Sequence, residues 1–126
     1  MVAKEKIVLI VDDEEDIKGV MAQALKKKGL DVRLASDGNQ AFQIILDEFI
    51  DVVISDIRMP HGEGRELLRT IKSLPVDDRP FIFVMSGYEV FSQEEIKKYG
   101  VAEFISKPFD MKALADKIEM RLKKKK

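Results

Sequence analysis

The chain has 126 residues, 45% hydrophobic and 36% charged, which suits a folded domain with one sizeable core and excludes a disordered chain. There is no cysteine, so disulfides and thiolate metal sites are excluded, and no apolar run approaches the ~20 residues of a membrane span. The net charge of −1 argues against general electrostatic binding to nucleic acid, although residues 111–126 carry a local +5.

The start, MVAKEKIVLIV, lacks a signal-peptide cleavage pattern and enters a strand-like run directly, so a cytoplasmic location is expected. Residues 7–11 (IVLIV) are continuously apolar, as in a strand covered on both faces. Ile17, Val20, Met21, Ala24 and Leu25 then recur at helical spacing, and Gly29 after KKK predicts a helix C-terminus. Residues 32–35 (VRLA) alternate, which predicts a less buried strand. Ala41, Phe42, Ile45, Leu46 and Phe49 predict one face of a second helix.

The pattern repeats. VVIS (52–55) reads as a buried strand, and Leu67, Leu68, Ile71 and Leu74 as a helix face. FIFVM (81–85) is again continuous, followed by a weaker helix around 92–98 and a short strand near 103–105. Met111, Leu114, Ala115, Ile118 and Leu122 mark the last helix. The closing KKKK reads as a solvated helix end favoured by the helix dipole.

Five strand-then-helix units call for an α/β fold, (βα)5, with a parallel sheet covered by helices on both faces. No linker or repeat interrupts the series, so residues 1–126 are expected to form one domain, with its core at about 5–122 and a basic tail at 123–126. The three continuous apolar strands should be central. That fits the doubly wound, flavodoxin-like order 2-1-3-4-5, in which ligands bind beyond the carboxyl ends of the strands.

Those ends share a character. Strand 1 ends in Asp12 and Asp13, strand 3 in Ser55 and Asp56, strand 4 in Ser86 and Gly87, and strand 5 in Ser106, Lys107 and Pro108. Any one of them has an ordinary reading as a cap, a turn or a surface lysine. Capping does not need two adjacent acids plus a third on the neighbouring strand. Three carboxylates against one ammonium leave about −2 in a partly desolvated cleft, which is unfavourable unless a cation binds. Hard oxygen donors with open positions suit Mg²⁺, which keeps several waters and recruits phosphate oxygens. A carboxylate beside Mg²⁺ can attack phosphorus and form an aspartyl-phosphate. Transition-state charge on the phosphoryl oxygens would then be met by Mg²⁺, Lys107 and the Ser86 hydroxyl.

With the acidic pair after strand 1, the segment SDIRMP, Ser86-Gly87 and Lys107-Pro108-Phe109 in place, the chain resembles the receiver domain of two-component response regulators, including the chemotaxis type. The resemblance runs from Ile7 to about Leu122. It implies that Asp56 is the phosphoacceptor, supplied by a phosphohistidine on a sensor histidine kinase or phosphotransfer protein. It further implies that Asp13, Asp56 and the Arg58 backbone carbonyl ligate Mg²⁺ (with Mn²⁺ able to substitute), while Asp12 acts largely through water. Ser86 and Lys107 would bind the phosphoryl group, and the Lys107–Pro108 bond would be cis. Phe104 falls at the aromatic switch position, with Ser86 as the other switch residue. Arg58 and Tyr88 would flank the path of the hydrolytic water and set the lifetime of the phosphorylated state. His61, the only histidine, reads as a loop residue. Output would pass through the face made by helix 4, strand 5 and helix 5 to a downstream protein target or an output domain. The implied state is a monomer or a phosphorylation-dependent dimer, with no direct nucleic-acid or membrane partner.

Three alternatives are weighed on residues. An aspartate-nucleophile phosphohydrolase usually carries an acid two residues after the nucleophile, where this chain has Arg58, which cannot serve as that acid. A flavodoxin-like cofactor binder needs a phosphate-cradling loop after strand 1, where DDEED would repel phosphate. The absence of output-domain sequence after KKKK fits either a stand-alone regulator or a receiver trimmed from a longer one.

Overall fold

The computed structural model describes residues 6–57, 63–87 and 92–124. Five parallel strands, β1 (Ile7–Val11), β2 (Asp31–Ala35), β3 (Val52–Asp56), β4 (Phe81–Ser86) and β5 (Val101–Ser106), pair in the order β2-β1-β3-β4-β5. Five helices alternate with them: α1 (Glu15–Lys27), α2 (Gly38–Asp47), α3 (Glu63–Lys72), α4 (Gln93–Tyr99) and α5 (Met111–Lys124). The order is the doubly wound, flavodoxin-like one expected from the sequence.

Side chains alternate across a strand, so each central strand feeds two cores. Ile7, Leu9, Val11, Val53, Ile82 and Val84 pack with Leu67, Leu68 and Ile71 of α3 and Ala41 of α2. Val8, Ile10, Val52, Ile54, Phe83 and Met85 pack with Met21 and Leu25 of α1 and Leu114 and Ile118 of α5. Every residue of β1 and β3 is buried because helices cover both faces; at the edge, β2 buries only Ala35.

The fifth strand contains one irregularity. Ile82 pairs with Val101, but Phe83 pairs with Glu103, so β5 advances two residues where β4 advances one. The extra residue is a β-bulge. It inverts the alternation of everything after it. Phe104 thereby falls in the α2–α3–α4 layer with Val101, and Ile105 in the α1–α5 layer.

Three residues expected in helix faces are exposed: Val20 (57%), Leu46 (56%) and Phe49 (41%). Helical spacing identifies a stripe but not how much of it the sheet covers. Phe49 lies beyond the last residue of α2, Asp47, and Leu74 likewise lies beyond α3. The chain reverses after α1 through Gly29, whose φ of 82° strains any residue with a Cβ. Among the described residues no helix is long and apolar enough to cross a membrane.

Candidate functional site

The sheet register assembles the site. Val11 pairs with Ser55 and Asp56 with Met85, so Asp12 and Asp56 leave adjacent strands side by side. Alternation continues the row Val8, Ile10 to Asp12 and the row Val52, Ile54 to Asp56, which sets both carboxylates toward the α1–α5 layer. Past the bulge, Ile105 belongs to that layer, and Lys107 continues its row. Backbone bonds fix all three exits: Asp12 N–H donates to Ala35 O at 3.1 Å, Ile57 N–H to Met85 O at 3.0 Å, and Lys107 N–H to Ser86 O at 2.9 Å.

Close packing also fixes Asp56 from below. A Cβ on Gly64 would lie 2.3 Å from the Ile57 carbonyl oxygen. Only glycine lets the first turn of α3 rest directly on the chain leaving β3.

Lys107 Nζ lies 2.9 Å from Asp56 Oδ2, 3.5 Å from Asp12 Oδ2 and 3.7 Å from Glu14 Oε1. Asp12 Oδ1 accepts the Glu14 N–H at 2.9 Å. Carboxylate oxygens of Asp12, Asp13, Glu14 and Asp56 all lie within 4.8 Å of one another. Among the described residues, four clustered carboxylates thus meet one ammonium. Burial pushes the Asp12 carboxyl above its ordinary value, against the Glu14 N–H and the Lys107 charge, and the charges of Asp56 and Glu14 add to the rise. Burial alone would lower the Lys107 ammonium. The hydrogen bond to Asp56 and the charges of Asp12, Asp56 and Glu14 outweigh it and raise the lysine instead.

The residues fit a small hard cation. All donors are carboxylate oxygens, Asp12 and Asp56 are buried, and Asp13 and Glu14 face solvent. The cleft they border, about 740 Å³ and also lined by Gly87 and Phe109, leaves room for water and a phosphate-sized anion.

The structure therefore brings together Asp12, Asp13, Asp56 and Lys107, and the Lys107–Pro108 peptide bond is cis. Ser86 is buried at the end of β4, in the row of Ile82 and Val84, and is not among the described residues lining the cleft. Phe104 is half-buried against the same layer, paired in register with Val84. Arg58, His61 and Tyr88 lie outside the described residues. Sequence reasoning missed Glu14. Its signal was the length of the acidic run DDEED, whose third member becomes the N-cap of α1 and turns back toward Lys107.

A family model described as the response regulator receiver domain matches residues 8–119. Regulatory protein AtoC of Escherichia coli (strain K12) is 32% identical over 108 residues, which are 85% of this chain and 23% of that protein. The chain thus spans less than a quarter of that curated relative. A CheY-like response regulator receiver domain protein from Methanospirillum hungatei JF-1 superposes with a TM-score of 0.85 at 29% identity, covering 96% of each chain. Chemotaxis response regulator CheY4 of Vibrio cholerae gives a TM-score of 0.81 at 26% identity, covering 93% of this chain and 98% of that one.

Proposed function

The chain belongs to the response regulator receiver domain family, and from that premise we propose that Asp56 accepts a phosphoryl group from a phosphohistidine. The donor is a sensor histidine kinase or a phosphotransfer protein. One observation carries the reading: the Lys107 ammonium sits 2.9 Å from Asp56 Oδ2 inside a cluster of four carboxylates at the sheet's carboxyl edge.

An Asp56 oxygen forms the new bond to phosphorus as the phosphorus–nitrogen bond to the donor imidazole breaks, and the imidazole leaves with that electron pair and takes up a proton. Lys107 holds the attacking carboxylate in place and remains beside the transferred group to offset its charge. Asp12, Asp13, Asp56 and the Arg58 carbonyl would hold Mg²⁺ or Mn²⁺, which when bound supplies positive charge to the phosphoryl oxygens. The Ser86 hydroxyl moves to the phosphoryl group, and Phe104, in the adjoining row of the same layer, follows it inward. That shift changes the face of α4, β5 and α5 read by a downstream protein or output domain. Arg58 and Tyr88 set how fast water returns Asp56 to its free form.

On this reading residues 1–126 are one cytoplasmic signalling domain, monomeric or dimerising on phosphorylation, and it catalyses only its own phosphotransfer and slow dephosphorylation. Incubation with Mg²⁺ and a small phosphodonor tests it. Intact-mass measurement should show one phosphoryl adduct on the parent and none on Asp56→Asn. An equal adduct on both, or none on either, defeats the proposal.

A further inference from the structure

At the amino-terminal edge of the sheet, opposite the phosphorylation site, a second groove of about 330 Å³ opens between the end of α2 and the segment joining α3 to β4. Leu46, Asp47, Phe49, Leu74, Asp78 and Pro80 line it. Six large apolar residues are exposed among the described residues; Leu46 and Phe49 line this groove, and Val76 (73% exposed) opens the 3-10 turn Val76–Asp78 whose Asp78 also lines it. The other three, Val20, Leu34 and Met120, are scattered over α1, β2 and α5. Apolar surface concentrated in one concave place marks a contact site.

The rim identifies what fits. Glu48 is neutralised by Arg33 at 2.7 Å and Arg79 Nε donates to Leu74 O at 2.8 Å, but Asp47, Asp77 and Asp78 make no ion pair among the described residues, so the rim is net negative even with Arg79 counted. An anionic partner is repelled, and a cationic segment carrying one apolar side chain is complementary. The chain possesses such a segment. The last turns of α5 expose Met120 (59%) beside Lys123, with Lys117 and Arg121 next to it sharing Glu103 at 3.6 and 3.1 Å, and residues 111–126 carry +5 while the rest of the chain carries −6.

We propose that the groove receives the end of α5 from a second copy of the chain, so that the protein associates head to tail. Such a contact is heterologous: each molecule uses one surface to give and another to receive. The groove is small, so association is weak and emerges toward high concentration. Its charges are solvent-facing, so salt weakens it.

Sedimentation of the full chain, without Mg²⁺ or phosphodonor, up to about 1 mM tests this. The average mass should rise with concentration toward twice that of the monomer or beyond, and the rise should shrink at high salt. Leu46→Lys destroys only the groove and Met120→Glu only the inserted helix end, both at exposed positions where folding is not at stake. Each variant alone should remain monomeric, whereas an equimolar mixture should form a dimer and nothing larger. A parent that stays monomeric throughout, variants that associate like the parent, or a mixture that stays monomeric would overturn the proposal and give the groove to a different basic segment. Asp56 takes no part in any arm, so the result is independent of the phosphorylation reading.

Discussion

Strand β3 is bracketed by two aspartates, Asp51 just before it and Asp56 at its end, and each is 5% exposed. Their surroundings differ completely. Asp51 Oδ2 accepts the Ile7 N–H at 2.8 Å, its own N–H donates to Ile7 O, and Lys6 lies 4.0 Å away. It ties the start of β1 to the start of β3, and among the described residues no other acid joins it in a cluster. Asp56 stands among three further carboxylates, and among the described residues Lys107 alone pairs with it, with Asp12 and with Glu14. The first arrangement is complete and holds strands together. The second is over-charged in one sign and open to solvent, a state that favours a bound cation and an incoming phosphoryl group. Burial of a carboxylate is common to both; the company it keeps separates structure from chemistry.

The sharpest way to break this contrast is at Lys107. Lys107→Met removes the only cation that faces the carboxylate cluster among the described residues, and phosphoryl acceptance from a small phosphodonor should slow by about 10²-fold, measured by the appearance of the adduct with time. A rate equal to the parent's would show that the lysine is a structural tie like the contacts of Asp51.

Next in size is Asp51→Ala, which leaves the buried Ile7 N–H without its acceptor. Urea unfolding should reveal a loss of about 1–3 kcal/mol, with the initial phosphorylation rate unchanged under conditions where the variant is folded. Asp51→Asn, which keeps an acceptor oxygen, should recover most of the loss. A slowed reaction in Asp51→Asn would dissolve the distinction between the two ends of β3.

The smallest effect concerns the exposed charges at the amino-terminal end. Arg33 bonds Glu48 at 2.7 and 2.8 Å and Asp31 at 3.0 Å. Its guanidinium hydrogen bonds hold both carboxyls below their ordinary values. A lowered folded-state value means stability that is present above the unfolded carboxylate range, about pH 4, and is lost as the pH falls through the folded value. Arg33→Met should therefore be slightly less stable than the parent near neutrality and converge with it in acid. Curves that stay parallel over the whole range would show that packing, not ionisation, carries the Arg33 contribution.

Much of this was legible in residues alone. IVLIV, VVIS and FIFVM are apolar without alternation, which only strands covered on both faces can be, and those three are central. The polar strand ends were legible because a parallel sheet sends every carboxyl terminus to one edge. What escaped had a different origin in each case. Leu46 and Phe49 have the spacing of a buried face, yet the length of sheet beneath a helix is a tertiary quantity. Glu14 joined the cluster because the turn into α1 folds back on itself, a matter of backbone direction that an acidic run does not specify. The bulge in β5 left no mark, since no glycine or proline announces it.

That bulge acts as a parity device. If the same residues of β5 paired regularly, without the bulge, Phe104 and Ile105 would exchange layers, and the aromatic ring would lie on the α1–α5 side of the sheet instead of beside the row of Ser86. Deleting Ala102 would therefore straighten the ladder and still leave Phe104 opposite Val84 and Ile105 opposite Met85, in the layers they occupy now. The bulge, and not the alternation of the sequence alone, thus decides which layer each residue of β5 beyond Ala102 enters.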